Sequence, residues 1–272
     1  MEQGTGDTLQ TRKNPILALL MSIVFGWGLL YVGRPKAALR LAGATYGFVI
    51  IAGVLGLVST PADFQLLVQS MLLAYLGSAL LAVWYAFKSK GVERFPGWKA
   101  HVAYVLGMLL VNLVLVPPVR GVVLGYNLYQ IPSMSMAPTL SPGDRLIVST
   151  RYDTPSVGDV AVYWRNERKM VSRIAAVAGD TLSIVDGDVI NNGRNLGLFH
   201  AQPNRVIREH SLDLAPVTVA PGHVFVLGDN RDNSNDSRFT GQVSVTDITE
   251  KVTGIFYSKD PAKIGTVFGT EE

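Results

Sequence analysis

Ile131-Pro132-Ser133-Met134-Ser135-Met136-Ala137-Pro138-Thr139-Leu140 alternates two hydroxyls with two methionines between two prolines, just after the last long apolar run of the chain. An exposed hydroxyl here can act as a nucleophile if fixed donors beside it steady the oxyanion its attack creates. The prolines would stiffen the loop that presents both groups, and the methionines would give a soft apolar floor for a peptide or for lipid. A linker is the bland reading of any one of these serines. A second stretch, Gly228-Asp229-Asn230-Arg231-Asp232-Asn233-Ser234-Asn235-Asp236-Ser237-Arg238, combines charge with turn formers. Its aspartates lack the following glutamate that a calcium loop needs, so a metal site is a poor account of it. With no cysteine in the chain, thiol catalysis, thiolate metal sites and disulfides are excluded. His200, His210 and His223 are scattered and read as ordinary loop or surface histidines.

The segment Pro132–Leu140 resembles the serine-nucleophile motif of bacterial type I signal peptidases, membrane-anchored serine proteases that remove signal peptides from exported proteins. Three further segments match in order: Ser141-Pro142-Gly143-Asp144-Arg145-Leu146, Gly158-Asp159-Val160-Ala161-Val162-Tyr163, and Gly228 to Arg238. The resemblance covers roughly residues 100 to 260. It implies that Ser135 is the nucleophile and that Ser133 lends its hydroxyl to the oxyanion hole. It also implies that Ser234 helps to orient the catalytic base, with Asp236 and Arg238 as a supporting ion pair. No metal or organic cofactor is implied. The implied partners are signal peptides of the Ala-x-Ala kind and the phospholipid membrane.

One position departs from the family pattern. Its bacterial members carry a lysine base just before the arginine of a Lys-Arg…Gly-Asp strand, and here Arg173, Gly179 and Asp180 fall into that register, which leaves Ser172 in the lysine slot. A serine hydroxyl has no accessible basic form near neutral pH, and a base must come within about 3 Å of the proton it takes, or act through one water. Lys169 lies upstream, but strand alternation puts residues 169 and 172 on opposite faces, so only a bulge before Met170 would turn it into the site.

The elements that must position these groups follow from hydropathy. Of the 272 residues, 48% are hydrophobic and 17% charged, and the apolar excess is concentrated before residue 120. Four apolar runs, about 15–33, 37–58, 64–87 and 100–116, approach the roughly 20 residues of a spanning helix. Pro117 and Pro118 are expected to end the fourth. Arg34, Lys36 and Arg40 in the first loop, and Lys88, Lys90, Arg94 and Lys99 in the third, place both loops in the cytoplasm, with Arg12 and Lys13 a mild contrary signal. The uncharged second loop near Ser59–Asp63 and everything after residue 120 then lie on the exported side. The net charge of +3 is explained by these flanks, and nucleic-acid binding is not expected.

After residue 120 the pattern changes to short valine- and isoleucine-rich runs between turns, an all-β tail. The expected strands are 145–149, 159–164, 170–177, 181–185, 189–191, 217–219, 223–227 and 252–257, with Asp186-Gly187 as a tight hairpin. Residues 193–221 read as an irregular, mobile excursion. The expected architecture is therefore a transmembrane anchor over 1–119 and an exported antiparallel β peptidase domain over 120–272, multi-pass in a bacterial cytoplasmic membrane. The expected function is removal of signal peptides from exported preproteins by a membrane-bound serine endopeptidase. The alternative is an impaired relative that binds signal peptides without efficient cleavage. A third reading, from another class, is a four-span transport or assembly protein; Asn112 and the glycines of the second run are what the chain offers for it.

Overall fold

The computed structural model describes residues 13–58, 60–89, 96–152 and 154–269. Arg12, Ser59, Lys90 and Arg94, used above for topology, lie outside the described residues. The chain divides into two compact units, one over residues up to 57 and 65–124, the other over 58–64 and from 125 onward.

The first unit is helical. Helix α1 (Pro15–Met21) starts where the Asn14 side chain accepts from the amides of Ile16 and Leu17, and Pro15 stands where its missing donor costs nothing. The expected span over 15–33 is not one helix. The chain breaks between α1 and α2 (Trp27–Tyr31), where Gly26 adopts a left-handed φ of 75° and the Phe25 carbonyl is taken by the Tyr104 hydroxyl at 2.7 Å. Among the described residues, two helices remain long and apolar enough to cross a membrane, α3 (Pro35–Val54) and α4 (Pro61–Lys88). Four spanning helices are not supported. Apolar residues Ile23, Val24 and Phe25 carry the run through the break, so a hydropathy window does not see it.

Helix α5 (Trp98–Leu110) forms most of a shorter apolar helix, Trp98–Val114. Pro117 and Pro118 do not stop the chain's helical course. Wider turns with i→i+5 bonding (Val111–Leu115 and Arg120–Leu124) flank one regular turn, Val116–Val119. The i→i+5 pattern changes which carbonyls need an amide partner, so the helix widens around the missing proline donors instead of ending. Small residues, Ala18, Ala38, Ala82 and Ala86, are fully or almost fully buried where these helices meet, which lets backbones approach closely.

The second unit is β-rich and antiparallel. A seven-stranded sheet runs β1-β2-β11-β3-β4-β9-β10, and a four-stranded sheet runs β7-β6-β5-β8. The large sheet contains β1 (Tyr126–Gln130), β2 (Arg145–Ser149), β3 (Val160–Arg165), β4 (Arg168–Val177), β9 (His223–Leu227), β10 (Val243–Ser244) and β11 (Ile248–Tyr257). The small sheet contains β5 (Thr181–Val185), β6 (Asp188–Asn191), β7 (Arg194–Asn195) and β8 (Leu214–Thr218). Every expected strand is present, 145–149, 181–185 and 223–227 with the expected bounds and the other five with shifted ends, while β1, β7 and β10 are additions. Asp186 and Gly187 take φ values of 50° and 87°, the left-handed pair that a two-residue hairpin requires.

Residues 193–221 are less irregular than expected. They contain β7, β8, a short helix (Glu209–Leu212), and carbonyls of Leu198 and Phe199 that accept from the buried Arg231 guanidinium at 3.2 and 2.7 Å. One core lies beneath the serine loop: Ile131, Met136 and Leu140 pack with Leu146, Val148, Val160, Val162, Val252 and Ile255. This corrects the expectation for the methionines. Met136 is core, 1% exposed, and only Met134, 39% exposed, faces outward.

Candidate functional site

The loop from Ser133 to Leu140 is held at several points. The Leu140 amide bonds the Met136 carbonyl at 2.9 Å, and Ala137 bonds Met134 at 3.1 Å. These turns place the Ser133 and Ser135 hydroxyls 3.1 Å from each other. From the other motif, Asn230 clamps the same loop twice, its amide to the Ser135 carbonyl at 3.0 Å and its side chain to the Met134 carbonyl at 3.0 Å. The two segments, almost a hundred residues apart in the chain, are thus joined through main-chain acceptors that leave both serine hydroxyls free of the clamp.

Gly228 is the contact point. A Cβ built there would lie 2.6 Å from the Ser135 carbonyl oxygen and would collide with the Ser234 side chain. Only glycine lets these three backbone segments converge. Asp236 then fixes the turn. Its carboxylate accepts from the Gly228 amide at 2.8 Å and holds Arg238 in a two-pronged pair at 2.9 and 3.0 Å. Asp229 does the same for Arg173, at 3.0 and 2.9 Å, and Arg173 also donates to the Gly158 carbonyl. Both pairs are almost fully buried and bidentate, the geometry in which a charge pair offsets its desolvation best.

Arg173 of β4 lies opposite Leu227 of β9. The pairing ends there, one residue short of Ser172 on β4 and of Gly228, which touches Ser135 and Ser234. Ser172 is 3% exposed, and its hydroxyl lies 3.2 Å from the Tyr163 hydroxyl. Burial pushes the Tyr163 pKa up and the Asp236 carboxylate adds to this, against the opposing Ser172 hydrogen bond, so Tyr163 keeps its proton. Neither hydroxyl of that pair is a base near neutral pH.

The strand alternation expected for Lys169 is what the structure has. The β3–β4 pairing runs from Arg165↔Arg168 to Val160↔Arg173 without a shift, so the bulge that would turn Lys169 toward Ser172 is absent there. Lys169 pairs with Glu250 at 3.1 Å, bonds the Tyr129 hydroxyl, and lies over the rings of Tyr129 and Trp164. Burial lowers its pKa, but the Tyr129 and Glu250 hydrogen bonds outweigh this and raise it, which keeps the ammonium charged. The histidine rings are placed elsewhere: His210 against Phe239, His200 against Phe199, and His223 within 3.0 Å of the Pro221 carbonyl.

Ser135, Ser234 and Asp236 therefore meet at Gly228, with Ser133 beside Ser135 and Arg238 on Asp236, while Ser172 bonds Tyr163 and Lys169 pairs with Glu250. Sequence reasoning had given no role to Asn230, Asp229, Gly228 or Tyr163. All four stood inside quoted motifs, and the signal for Arg173–Asp229 was an arginine on a strand whose register was already assigned.

The family described as signal peptidase, peptidase S26, matches residues 102–257. "Probable signal peptidase I-1" of Synechocystis sp. is 37% identical over 124 residues, which span 41% of this chain and 61% of that protein. "Inactive signal peptidase IA" of Staphylococcus aureus is 28% identical over 166 residues, 58% of this chain and 93% of that protein. "Thylakoidal processing peptidase 1, chloroplastic" of Arabidopsis thaliana is 30% identical over 150 residues, 49% of this chain and 42% of that protein. A crystal structure of a signal peptidase I from Enterococcus faecalis, 27% identical, matches with a TM-score of 0.34 over 37% of this chain and 98% of that one. With the family matched over more than half of its length, the chain belongs to the signal peptidase family, peptidase S26.

Proposed function

We propose that this protein is a membrane-bound endopeptidase of the signal peptidase I type that binds signal peptides of exported preproteins and cleaves them slowly, with Ser135 as nucleophile. Ser133 and the Ser135 amide would hold the oxyanion, and Ala-x-Ala sites would be the substrates. The observation that carries the reading is the pair of hydroxyls 3.1 Å apart on a loop clamped by Asn230. The low rate follows from the lysine slot, where Ser172 is buried and bonded to Tyr163 rather than furnishing an amine. Oxyanion stabilisation and substrate binding alone retain about 10³–10⁴-fold over water in serine proteases stripped of triad members. The protein is then weak rather than silent. Binding without efficient cleavage is the limit of the same reading, and the staphylococcal relative bears the name of an inactive signal peptidase.

The catalytic unit would sit on the exported side of a bacterial cytoplasmic membrane. Helices α3 and α4 would form a hairpin whose cationic ends, Arg34 with Lys36 and Lys88, face the cytoplasm. The helical turns from 98 through 124 would make the third crossing. The test is cleavage of an Ala-x-Ala preprotein by the purified full-length protein in detergent, beside Ser135→Ala. Slow cleavage that disappears in Ser135→Ala supports the reading. Cleavage that persists unchanged in that variant rules it out.

A further inference from the structure

We infer that a cleft at the ends of β1, β2 and β11 holds the phosphate of an anionic phospholipid headgroup. The cleft encloses about 390 Å³ and is bounded by Gln130, Pro132, Gly143, Arg145, Tyr257 and Lys259. Arg145 lies over the Tyr257 ring, 5.2 Å from its centroid, and the Lys259 side chain runs across Gly143. Gly143 takes a left-handed φ of 98° beneath that lysine, a conformation that favours glycine.

Two cations line one small cleft, and among the described residues neither has a carboxylate within ion-pairing distance. The acids beside them in sequence are engaged elsewhere. Asp144 is 1% exposed and accepts from the Ser141 amide at 2.8 Å and the Ser258 hydroxyl at 2.7 Å, while Lys263 approaches it at 3.7 Å. Asp260 caps the Ala262 amide. The cleft therefore concentrates positive charge that an anion would relieve.

The surroundings select the kind of anion. Tyr257 is 47% exposed, Met134, two residues past the cleft wall at Pro132, is 39% exposed, and Ile264 of the tail is 48% exposed. A site for a free anion needs no such apolar margin. An exposed aromatic ring and two cations at one edge, with Met134 and Ile264 within a few residues of the cleft walls along the chain, form the pattern of a surface seated at a bilayer interface. The guanidinium and the ammonium would share one phosphodiester, with the tyrosine ring at headgroup depth.

The experiment uses the full chain in nonionic detergent micelles doped with dioleoylphosphatidylglycerol or dioleoylphosphatidylcholine, with retained lipids counted by native mass spectrometry. Arg145→Gln, Lys259→Gln, the double variant and Arg145→Lys are compared with the unmodified protein. Each cation near an anionic surface is worth about fivefold in affinity, so the double variant should lose one phosphatidylglycerol with roughly 25-fold weaker binding. Arg145→Lys should keep most of it, phosphatidylcholine counts should not change, and the melting temperatures of the variants should match. Equal phosphatidylglycerol retention by the double variant overturns the inference. Competition by glycerol 1-phosphate at the affinity of the lipid would mean a free-phosphate site, and displacement only by an acidic peptide would mean a polypeptide site; either result also overturns it.

Discussion

Replacing Ser172 by lysine is the most informative single change in this protein. The position is 3% exposed, it pairs across the sheet with the fully buried Ala161, and it precedes Arg173, whose strand partner Leu227 precedes Gly228. A lysine there gives up the Tyr163 hydrogen bond, at a cost of about 1 kcal/mol. Burial of its amine lowers the lysine pKa by up to about 3–5 units, from roughly 10.4 into a range where the neutral base is populated at pH 7–8. A positioned base contributes typically about 10²–10⁴-fold. Ser172→Lys should therefore raise kcat for an Ala-x-Ala preprotein by that factor, with little change in KM.

The pH dependence has a definite sign. The active form is the neutral amine, so kcat/KM should rise with pH through the lowered folded-state pKa. Stability of the variant should rise over the window from that value up to the unfolded lysine value near 10.4, because the unfolded chain holds the extra proton there. The assay is the initial rate of preprotein cleavage in detergent from pH 6 to 10, with a melting curve at each pH. A Ser172→Lys protein that folds normally yet cleaves no faster than the unmodified chain would refute the placement of residue 172. Equal cleavage by the Ser172→Lys/Ser135→Ala double variant would refute Ser135 as the nucleophile.

Other outcomes test the surrounding structure. Asp236→Ala strands the buried Arg238 guanidinium and the Gly228 amide, and should lower stability by about 3–5 kcal/mol in denaturant unfolding. Gly228→Ala drives a methyl against the Ser135 carbonyl and the Ser234 side chain, and should abolish the activity gained in Ser172→Lys while leaving the far-ultraviolet circular dichroism unchanged. Lys169→Met leaves Glu250 with Tyr129 and Asn127 only and should cost about 1–2 kcal/mol without altering the cleavage rate; a lost rate would return Lys169 to the list of bases. Burial of Asp180 disfavours its charged form, but hydrogen bonds from the Val177 amide, Asn192 and Asn191 outweigh this and lower its pKa. Its contribution is then complete above the ordinary carboxylate value and fades as pH falls through the lowered one, so acid unfolding below about pH 4 should be shallower in Asp180→Asn.

How far the structure could be read in advance depended on what each signal measures. Strands such as 145–149 and 223–227 were legible because β-branched runs between turn formers leave little else for the backbone to do. Strand β1, Tyr-Asn-Leu-Tyr-Gln, carries no valine or isoleucine and is held by its ladder to β2, which no local pattern announces. The break at Gly26 was hidden for the opposite reason: Ile23, Val24 and Phe25 are as apolar as their neighbours, and hydropathy reports composition, not dihedral angles. Pro117 and Pro118 misled because the rule that proline ends a helix assumes a constant pitch. Ser133, Ser135 and Ser234 could be named from motifs. The contacts that gather them, through Gly228, Asn230 and the Arg173–Asp229 pair, join segments tens of residues apart and became visible only with the fold.

The two buried guanidinium–carboxylate pairs around Gly228 have a consequence for how such a protein changes over generations. They hold the scaffold of the site by interactions in which residue 172 takes no part, so natural selection for a folded chain and selection for a fast one act on separate residues. On the proposed reading, a lineage that exchanges an amine for a hydroxyl at 172 would give up rate while the nucleophile stays mounted. The same lineage would keep a one-residue route back.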